Sequence, residues 1–391
     1  MKTSRQVFIL LMLGSVPFLS LAQAPETRSA SPQKYFAYLG TYTNKTTSKG
    51  IYAYRFDAAT GRLGAGALAA ESTEPSFVTV LPGGKYLYAV NETDDFEGKK
   101  SGVVNAYAIG SRTGKLTLLN QVASGGADPC YISIDKTGKY VLVANYTSGS
   151  IAVFTILPDG KLGERTAFVQ HRGVGANKQR QEGPHAHWIE TSPDNRFVFA
   201  VDLGLDEILV YKFDAENGTL TPNDPPYVKL QPGSGPRHLV FAPTGKFAYL
   251  TSELSSTVTA LSYDATRGAF TPLQTVSTLP AGYSGTNDSA EIAVHPSGKF
   301  LYDSNRGHNS IAIFAIDPAD GKLTARGTVS TQGKTPRNFV IDPTGEYLLA
   351  ENQESNTIVV FKIDQSTGEL TPTGQKISAP ATVCIAFTPA G

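Results

Sequence analysis

One pattern of β-strands and turns recurs along the chain about every 50 residues. Each copy has two short strands of alternating apolar and polar residues, joined by a turn rich in Gly, Pro, Asn and Asp. A third apolar strand and a weaker fourth strand follow. Complete copies begin near Pro75, Pro129, Pro184, Pro236, Ser289 and Pro336. Four strands per repeat at this spacing are typical of the blades of a β-propeller.

The two ends of the chain carry complementary parts of one further repeat. Residues 35–70 match the second to fourth strands and have no first strand, whereas the C-terminal segment VCIAFTPAG matches a first strand and then stops. We therefore predict an all-β fold, a seven-bladed β-propeller of four-stranded antiparallel blades. Residues 383–388 should pair with the strand near 35–42 and close the ring, because an open solenoid would leave both ends unpaired.

The N-terminal segment has the features of a secretory signal peptide. Lys2 and Arg5 precede an apolar run over residues 7–21, and small residues suited to cleavage follow at 22–24. This predicts a signal peptide at 1–24, a short linker at 25–34 and a single propeller domain at 35–391. The alternative is an uncleaved anchor, although the run is short for a membrane span. We expect a periplasmic or secreted protein.

Charge and cysteine content limit the partners of the chain. The 34 basic and 34 acidic residues balance, and no stretch concentrates Lys and Arg as a nucleic-acid footprint would. We expect no nucleic-acid partner, no membrane contact after signal cleavage, and a monomer. Cys130 and Cys384 are too few for a disulfide framework and lie in apolar strand patterns, which predicts two buried thiols.

Polar residues are concentrated where the first strand of a blade starts and the second strand ends. These points lie side by side in a hairpin, so they should open onto one face of the disc, near the central channel. At first-strand starts we find His185, His187, Arg237, His238, Glu291, Arg337 and Asn338. At second-strand ends we find Asn91, Glu92, Asn145, Tyr146, Asp202, Glu253, Asn305, Arg306, Glu351 and Asn352.

The identities of these residues differ from blade to blade, which purely structural repeat positions would not do. Several charged groups at one channel mouth indicate an anionic-ligand site with acid–base capacity. Structural alternatives remain for some members. Arg337 could bond a neighbouring carbonyl, Glu253 could form an ion pair with Arg237 or Arg306, and His187 could only support His185.

The remaining histidines and motifs suggest no other chemistry. His171, His295 and His308 fall in turns or loops, where surface positions are expected. The pair His185 and His187 could start a metal site, but no third ligand has a recognisable spacing. No Gly-x-Ser-x-Gly nucleophile motif is present in the sequence. We therefore expect no metal and no cofactor.

The strand-end segments resemble those of the propeller-type 6-phosphogluconolactonase (lactonase) family, which is related to fungal carboxymuconate-lactonizing enzymes. The similar segments occur in the same order from residue 40 to the C-terminus. They are Gly40–Thr43, Val143–Tyr146, Arg180–Glu182, Pro184–His187, Asp202–Asp206, Gly235–His238, Ser252–Leu254, Ala290–Ile292, Ser304–Gly307 and Thr335–Arg337.

The resemblance implies a set of catalytic residues, and the convergence of strand ends predicts a surrounding set that contacts the substrate. The catalytic set is His185, Arg237, Glu253 and Arg306. The expected substrate-binding set is Asn145, His187, Asp202, His238, Glu291, Asn305 and Arg337. The chain departs from the family pattern at Ser252, where many relatives have Asn before the Glu.

The resemblance implies hydrolysis of a sugar-type lactone, an anionic small molecule, at the channel mouth. Glu253 or His185 would deprotonate a water molecule. Arg237 and Arg306 would bind a phosphate or carboxylate, and one of them would polarise the lactone carbonyl. Two alternatives remain, a lactonizing cycloisomerase and a secreted propeller that binds a ligand without turnover. The sequence leaves the lactone ring size and its phosphorylation open.

Overall fold

The computed structural model describes residues 34–391, together with Thr3. The predicted signal peptide (1–24) and the linker up to residue 33 lie outside the described residues. Residues 34–391 form strands and turns without helices, arranged as seven β-sheets. Within this range no helix is long and apolar enough to cross a membrane.

Six of the sheets are blades of four consecutive antiparallel strands. The second and third blades contain β5 (Phe77–Val80), β6 (Tyr86–Asn91), β7 (Val103–Ile109), β8 (Leu116–Ala123), β9 (Pro129–Ile134), β10 (Tyr140–Asn145), β11 (Ser150–Ile156) and β12 (Leu162–Gln170). The fourth and fifth contain β13 (Ala186–Thr191), β14 (Phe197–Asp202), β15 (Glu207–Asp214), β16 (Thr219–Lys229), β17 (Pro236–Phe241), β18 (Phe247–Ser252), β19 (Thr257–Asp264) and β20 (Ala269–Ser277). The sixth and seventh contain β21 (Asp288–Val294), β22 (Phe300–Arg306), β23 (Ser310–Ile316), β24 (Leu323–Ser330), β25 (Pro336–Ile341), β26 (Tyr347–Asn352), β27 (Thr357–Ile363) and β28 (Leu370–Ser378).

The first blade is assembled from both ends of the chain. It contains β1 (Lys34–Thr41), β2 (Gly50–Asp57), β3 (Arg62–Leu63), β4 (Ala67–Glu71) and β29 (Thr382–Pro389). Strand β29 pairs antiparallel with β1, from Tyr35 opposite Pro389 to Gly40 opposite Cys384. The all-β, seven-bladed propeller and its closure by the two terminal strands are therefore confirmed. The fourth strand of this blade is split into β3 and β4, which both pair with β2.

Neighbouring blades are joined by apolar side chains and by a repeated contact between a glycine and an aromatic ring. The glycine lies in the turn between the third and fourth strands, and the ring lies near the start of the second strand of the preceding blade. The pairs are Gly61–Tyr347, Gly114–Phe36, Gly160–Tyr86, Gly218–Tyr140, Gly268–Phe197, Gly321–Phe247 and Gly368–Phe300. At Gly268, where φ is +64°, a methyl group would lie 2.5 Å from the Phe197 ring. A side chain there would therefore clash.

Both cysteines lie in strands and are buried free thiols, as predicted. Cys130 is in β9 and Cys384 is in β29. Within residues 34–391, no group of three or more His, Cys, Asp or Glu side chains is arranged to hold a metal ion.

Candidate active site

A cavity of about 230 Å³ opens where first strands start and second strands end. It is lined by Tyr42, Glu92, Cys130, Tyr146, Arg180, His187, Glu253, Arg306 and Arg337. All of these residues except Arg180, which lies in the loop before β13, are at or next to a strand end. The hairpin geometry therefore brings side chains that are far apart in sequence into one polar cavity.

β-bulges help to direct several of these side chains. In six of the seven blades the first strand carries one residue more than its partner strand near its start. In four of these blades the additional residue is Cys130, His187, Arg237 or Arg337. A bulge breaks the alternation of side chains and re-aims one of them. Three of the four bulged residues line the cavity, and Arg237 lies directly behind it, against Glu253.

Glu253 is surrounded by three guanidinium groups. Its Oε2 lies 2.7 Å from Nη2 of Arg306 and 3.2 Å from Nε of Arg237, and its Oε1 lies 2.5 Å from Nη2 of Arg180. Burial by itself would raise the pKa of Glu253, but the charges of Arg306, Arg237 and Arg180 outweigh it and lower the pKa to about 2. The carboxylate therefore remains ionised at pH 7 and is a weak proton acceptor.

Arg237 is the most deeply placed of these arginines. Burial and the charges of Arg337 and Arg306 lower its pKa to about 10, which still leaves it protonated at neutral pH. Its Nη1 donates a hydrogen bond to the carbonyl oxygen of Ala290 at 2.7 Å. Arg237 thus holds the inner side of Glu253 and contributes charge to the cavity without lining it.

His187 forms part of the cavity wall and belongs to a packed group of aromatic rings. Its ring lies edge-on to His238 and Tyr146, with centroid distances of 5.1 and 5.4 Å. Its Nδ1 is 3.8 Å from Sγ of Cys130. Burial, followed by the charge of Arg237, holds the pKa of His187 well below its ordinary value. The imidazole is therefore neutral at pH 7 and has a lone pair that can accept a proton.

His185 lies beside the cavity and does not line it. Its ring stacks on Tyr146 with a centroid distance of 4.6 Å. Its Nε2 is 3.2 Å from Oε1 of Glu182, and its Nδ1 is 3.2 Å from the carbonyl oxygen of Tyr146. Both ring nitrogens are therefore engaged with other protein groups.

A chain of hydrogen bonds through His238 and Glu291 holds Arg237 in place. Nη1 of Arg237 is 3.3 Å from Nε2 of His238, and because a guanidinium can only donate, Nε2 accepts. The Nδ1–H of His238 then donates to Glu291 at 3.3 Å, and Nδ2 of Asn338 donates to the same carboxylate at 2.6 Å. Burial lowers the pKa of His238 to about 4 despite the nearby Glu291, so the ring is neutral. Glu291 also lines two further cavities, of about 370 and 500 Å³.

Three predicted substrate-binding residues do not line the cavity because they are buried in local hydrogen bonds. Asn145 donates to Oγ of Ser150 at 3.1 Å, and Asn305 donates to the carbonyl oxygen of Thr278 at 3.0 Å. Asp202 accepts the backbone N–H of His185 at 2.7 Å. Successive residues of a strand point to opposite sides. Tyr146 and Arg306 therefore reach the cavity while their preceding asparagines do not.

The expectation that His171 lies on the surface is wrong. Its side chain is buried, and its Nδ1 lies 2.7 Å from Oδ2 of Asp202. His295 is also buried, with Nε2 2.8 Å from the carbonyl oxygen of Gly345. A position in a loop or turn does not imply exposure when the side chain fills a polar pocket of the fold.

Five cavity residues lie outside the predicted catalytic and substrate-binding sets: Tyr42, Glu92, Cys130, Tyr146 and Arg180. Glu92 and Tyr146 lie at second-strand ends, and Tyr42 and Arg180 occur within family-like segments. Oη of Tyr42 donates to Glu92 at 2.9 Å, and the guanidinium of Arg337 lies 5.4 Å from the centre of the Tyr42 ring. The sequence around Cys130 predicted only an apolar strand and gave no indication of a site residue.

Comparison with known proteins identifies the family. The model for the family of seven-bladed β-propeller lactonases matches residues 36–387. A 6-phosphogluconolactonase of Bacillus subtilis is 39% identical over 309 residues, which are 79% of this chain and 85% of that protein. One from Formosa agariphila is 37% identical over 311 residues, which are 78% and 86% of the two chains. The solved structure of a Pseudomonas aeruginosa periplasmic gluconolactonase has a TM-score of 0.86 at 34% identity, covering 92% of this chain and 100% of that one. The protein described here therefore belongs to the seven-bladed β-propeller lactonase family.

Proposed function

We propose that this protein hydrolyses a sugar lactone that carries an anionic group, in the cavity beside Glu253 and without a metal ion or cofactor. The observation that carries this proposal is the convergence of several guanidinium groups next to the neutral imidazole of His187. Relatives named 6-phosphogluconolactonase and gluconolactonase support the substrate class. We further propose that the protein is exported through its 1–24 signal peptide and acts as a periplasmic or secreted monomer.

The balance of charges in the cavity supports an anionic substrate. Arg180, Arg306 and Arg337 line it, whereas the carboxylates in its lining are Glu92 and Glu253. Arg237 adds a further positive charge directly behind Glu253. A guanidinium presents paired N–H donors that match a carboxylate or a phosphate. An acidic substituent on the sugar would therefore be held while the lactone ring lies against His187.

His187 is the group best suited to activate water. The neutral ring would accept a proton from a water molecule as its oxygen attacks the lactone carbonyl carbon. Burial is the main reason why the pKa of His187 is low and the charge of Arg237 is the next, and an anionic substrate would offset this second contribution. Proton transfer to the ring would therefore become more favourable once the substrate is bound.

An arginine would stabilise the charge that develops on the lactone carbonyl oxygen. Arg306 is placed for this role because it lines the cavity and because its Nη2 lies 2.7 Å from Oε2 of Glu253, which fixes the guanidinium. The tetrahedral intermediate would then break its bond to the ring oxygen, and the imidazolium of His187 would return the proton to that oxygen. The product is an open-chain hydroxy acid.

Glu253 and His185 have different roles in this proposal from those the sequence suggested. Glu253, with its pKa near 2, would orient Arg306 and Arg237 and accept a hydrogen bond from a substrate hydroxyl. His185 would support Tyr146 by stacking. Arg237 would be a positioning residue, held in turn by His238 and Glu291.

The test is steady-state hydrolysis of gluconolactone and a phosphorylated gluconolactone by the purified protein and its His187→Asn variant. A positioned base contributes roughly 10²–10⁴-fold to the rate. We expect kcat to fall towards the lower end of that range, because lactones also open spontaneously. His185→Asn is the matched control and should retain most of kcat. A His187→Asn variant within about threefold of the parent would show that His187 is not the base.

The same experiment separates the alternative functions. A protein that closes an unsaturated dicarboxylate into a lactone, yet hydrolyses no lactone in the panel, would be a cycloisomerase. A protein that binds gluconate without any turnover would be a binding module. Unchanged hydrolysis after dialysis against EDTA is expected if no metal takes part.

A further inference from the structure

The loop between β12 and β13, residues 171–185, is fixed at its base by one buried carboxylate. Asp202 contacts both ends of the loop. Its Oδ2 lies 2.7 Å from Nδ1 of His171, and its Oδ1 accepts the backbone N–H of His185 at 2.7 Å. The side chains of His171 and Asp202 are fully buried. The two ends of this 171–185 loop are therefore held together at the edge of the cavity.

The middle of the 171–185 loop is anchored as well. Gln181 is fully buried, and its Nε2 donates to the carbonyl oxygen of Leu203 and to Oδ1 of Asp206, both at 2.8 Å. Its Oε1 accepts the backbone N–H of Asn177 at 2.8 Å. The residue immediately before Gln181 is Arg180. The anchored Gln181 therefore fixes the backbone of Arg180, and this determines where the Arg180 side chain lies.

The guanidinium of Arg180 is the accessible one of the three that surround Glu253. Its side chain is 40% exposed, compared with 14% for Arg306 and 3% for Arg237. Its partner is Oε1 of Glu253, whereas Arg306 and Arg237 contact Oε2. Burial raises the pKa of the nearby Tyr146 hydroxyl, and the guanidinium of Arg180 partly offsets that rise. Arg180 therefore stands on the solvent side of the carboxylate, between it and an incoming ligand.

We propose that Arg180 is a substrate-binding residue that determines the preference for anionic over neutral lactones. When a lactone with an anionic substituent enters, the guanidinium of Arg180 turns from Glu253 to that substituent. Glu253 retains Arg306 and Arg237 on its other oxygen, so losing Arg180 leaves the carboxylate paired. This inference rests on the proposed lactonase function, because the selectivity it describes is selectivity among lactones.

The physical basis is a difference in what each substrate offers Arg180. A phosphate or carboxylate replaces the lost ion pair with a two-pronged, charge-assisted contact at a partly exposed site. A neutral lactone offers only hydroxyl groups, so Arg180 keeps its contact with Glu253 and contributes nothing to binding. Removing Arg180 should therefore affect the anionic substrate alone.

The test compares Arg180→Met with the parent on phosphorylated gluconolactone and on gluconolactone. We expect kcat/KM for the phosphorylated lactone to fall about 10- to 100-fold, as for loss of a charged hydrogen bond. The value for the neutral lactone should stay within about threefold. The matched control is Lys178→Met, which removes an exposed cation from the same loop and should change neither value.

A second measurement does not depend on catalysis. Isothermal titration of each protein with inorganic phosphate should show weaker binding to Arg180→Met and unchanged binding to Lys178→Met. Equal losses on the two lactones would mean that Arg180 acts through Glu253, and no loss on either would mean that it has no role. Both results overturn the inference. If the parent hydrolyses no lactone, the proposed function fails, and phosphate titration alone decides whether Arg180 binds anions.

Discussion

Replacing Glu253 by Gln should destabilise the protein in a way that depends on pH. The carboxylate is buried, with 5% of its side chain exposed, and three arginines contact it. They lower its pKa from an ordinary value of 4.5 to about 2. Each unit of pKa difference corresponds to about 1.4 kcal/mol, so the charge of Glu253 contributes about 3 kcal/mol to the free energy of unfolding at pH 7.

The direction of the pH dependence follows from the lowered pKa. A group with a depressed pKa stabilises the folded state above its ordinary pKa, and this contribution is lost as pH falls through the folded-state value. The parent should therefore lose this stability between about pH 4.5 and pH 2. Glu253→Gln carries no titrating group there, so the two proteins should converge in stability over that range.

Urea unfolding can be followed through Trp188, the single tryptophan, which is buried in β13. Parent and Glu253→Gln should differ by about 3 kcal/mol at pH 7 and by progressively less towards pH 2. The matched control is Glu164→Gln, at an exposed position on β12, which should not change stability. A difference below about 1 kcal/mol at pH 7, or one that does not shrink with acid, would refute the assignment of Glu253 as a strongly stabilised carboxylate.

Three further predictions test the ring, the blade contacts and the cavity. Deleting residues 382–391 removes β29 and every partner of the inner edge of β1, so the truncated chain should fail to give a cooperative thermal transition. Gly268→Ala, which places a methyl group 2.5 Å from the Phe197 ring, should lower the unfolding free energy by about 1–3 kcal/mol. The control Gly374→Ala, also at positive φ but with nothing within 4 Å, should cost less. Arg306→Lys keeps the charge but loses the fork of donors proposed to face the developing charge on the carbonyl oxygen, so kcat should fall several-fold with a smaller change in KM, and an unchanged kcat would argue against Arg306 in that role.

The fold could be predicted in detail because the same pattern of strands and turns is repeated along the sequence. Six copies of one strand pattern, and the complementary parts of a seventh, are sufficient to specify the blades and the closure of the ring. The predicted pairing of VCIAFTPAG with the N-terminal strand joins the segments that are farthest apart in the propeller sequence. It is confirmed residue by residue, from Tyr35–Pro389 to Gly40–Cys384. Alternating hydrophobicity and turn chemistry carry this information directly.

The site could be predicted only as far as strand ends specify it. Two residues apart, His185 and His187 would point the same way in a regular strand. The bulge at His187 breaks that alternation and places His187, not His185, in the cavity wall. Bulges leave no periodic signal that a single sequence reveals.

Loop residues were still harder to predict from the sequence. The position of Arg180 depends on contacts between Gln181 and β14–β15 turn residues, and no local pattern encodes these contacts. In the sequence, Arg180 is distinguished only as part of a family-like segment. Its contact with Glu253, 73 residues away, required the structure.

Strand β29, which closes the ring, is synthesised after every other strand of residues 34–391. Strand β1 precedes the other strands of this range, yet its inner edge stays open until Thr382–Pro389 have been made. The ring therefore cannot close before β29 emerges, and β1 must avoid pairing with other exposed strands until then. A nonsense mutation at codon 382 would leave residues 34–381 intact but remove the strand that completes the first blade, so such a product should be recognised and degraded as incompletely folded.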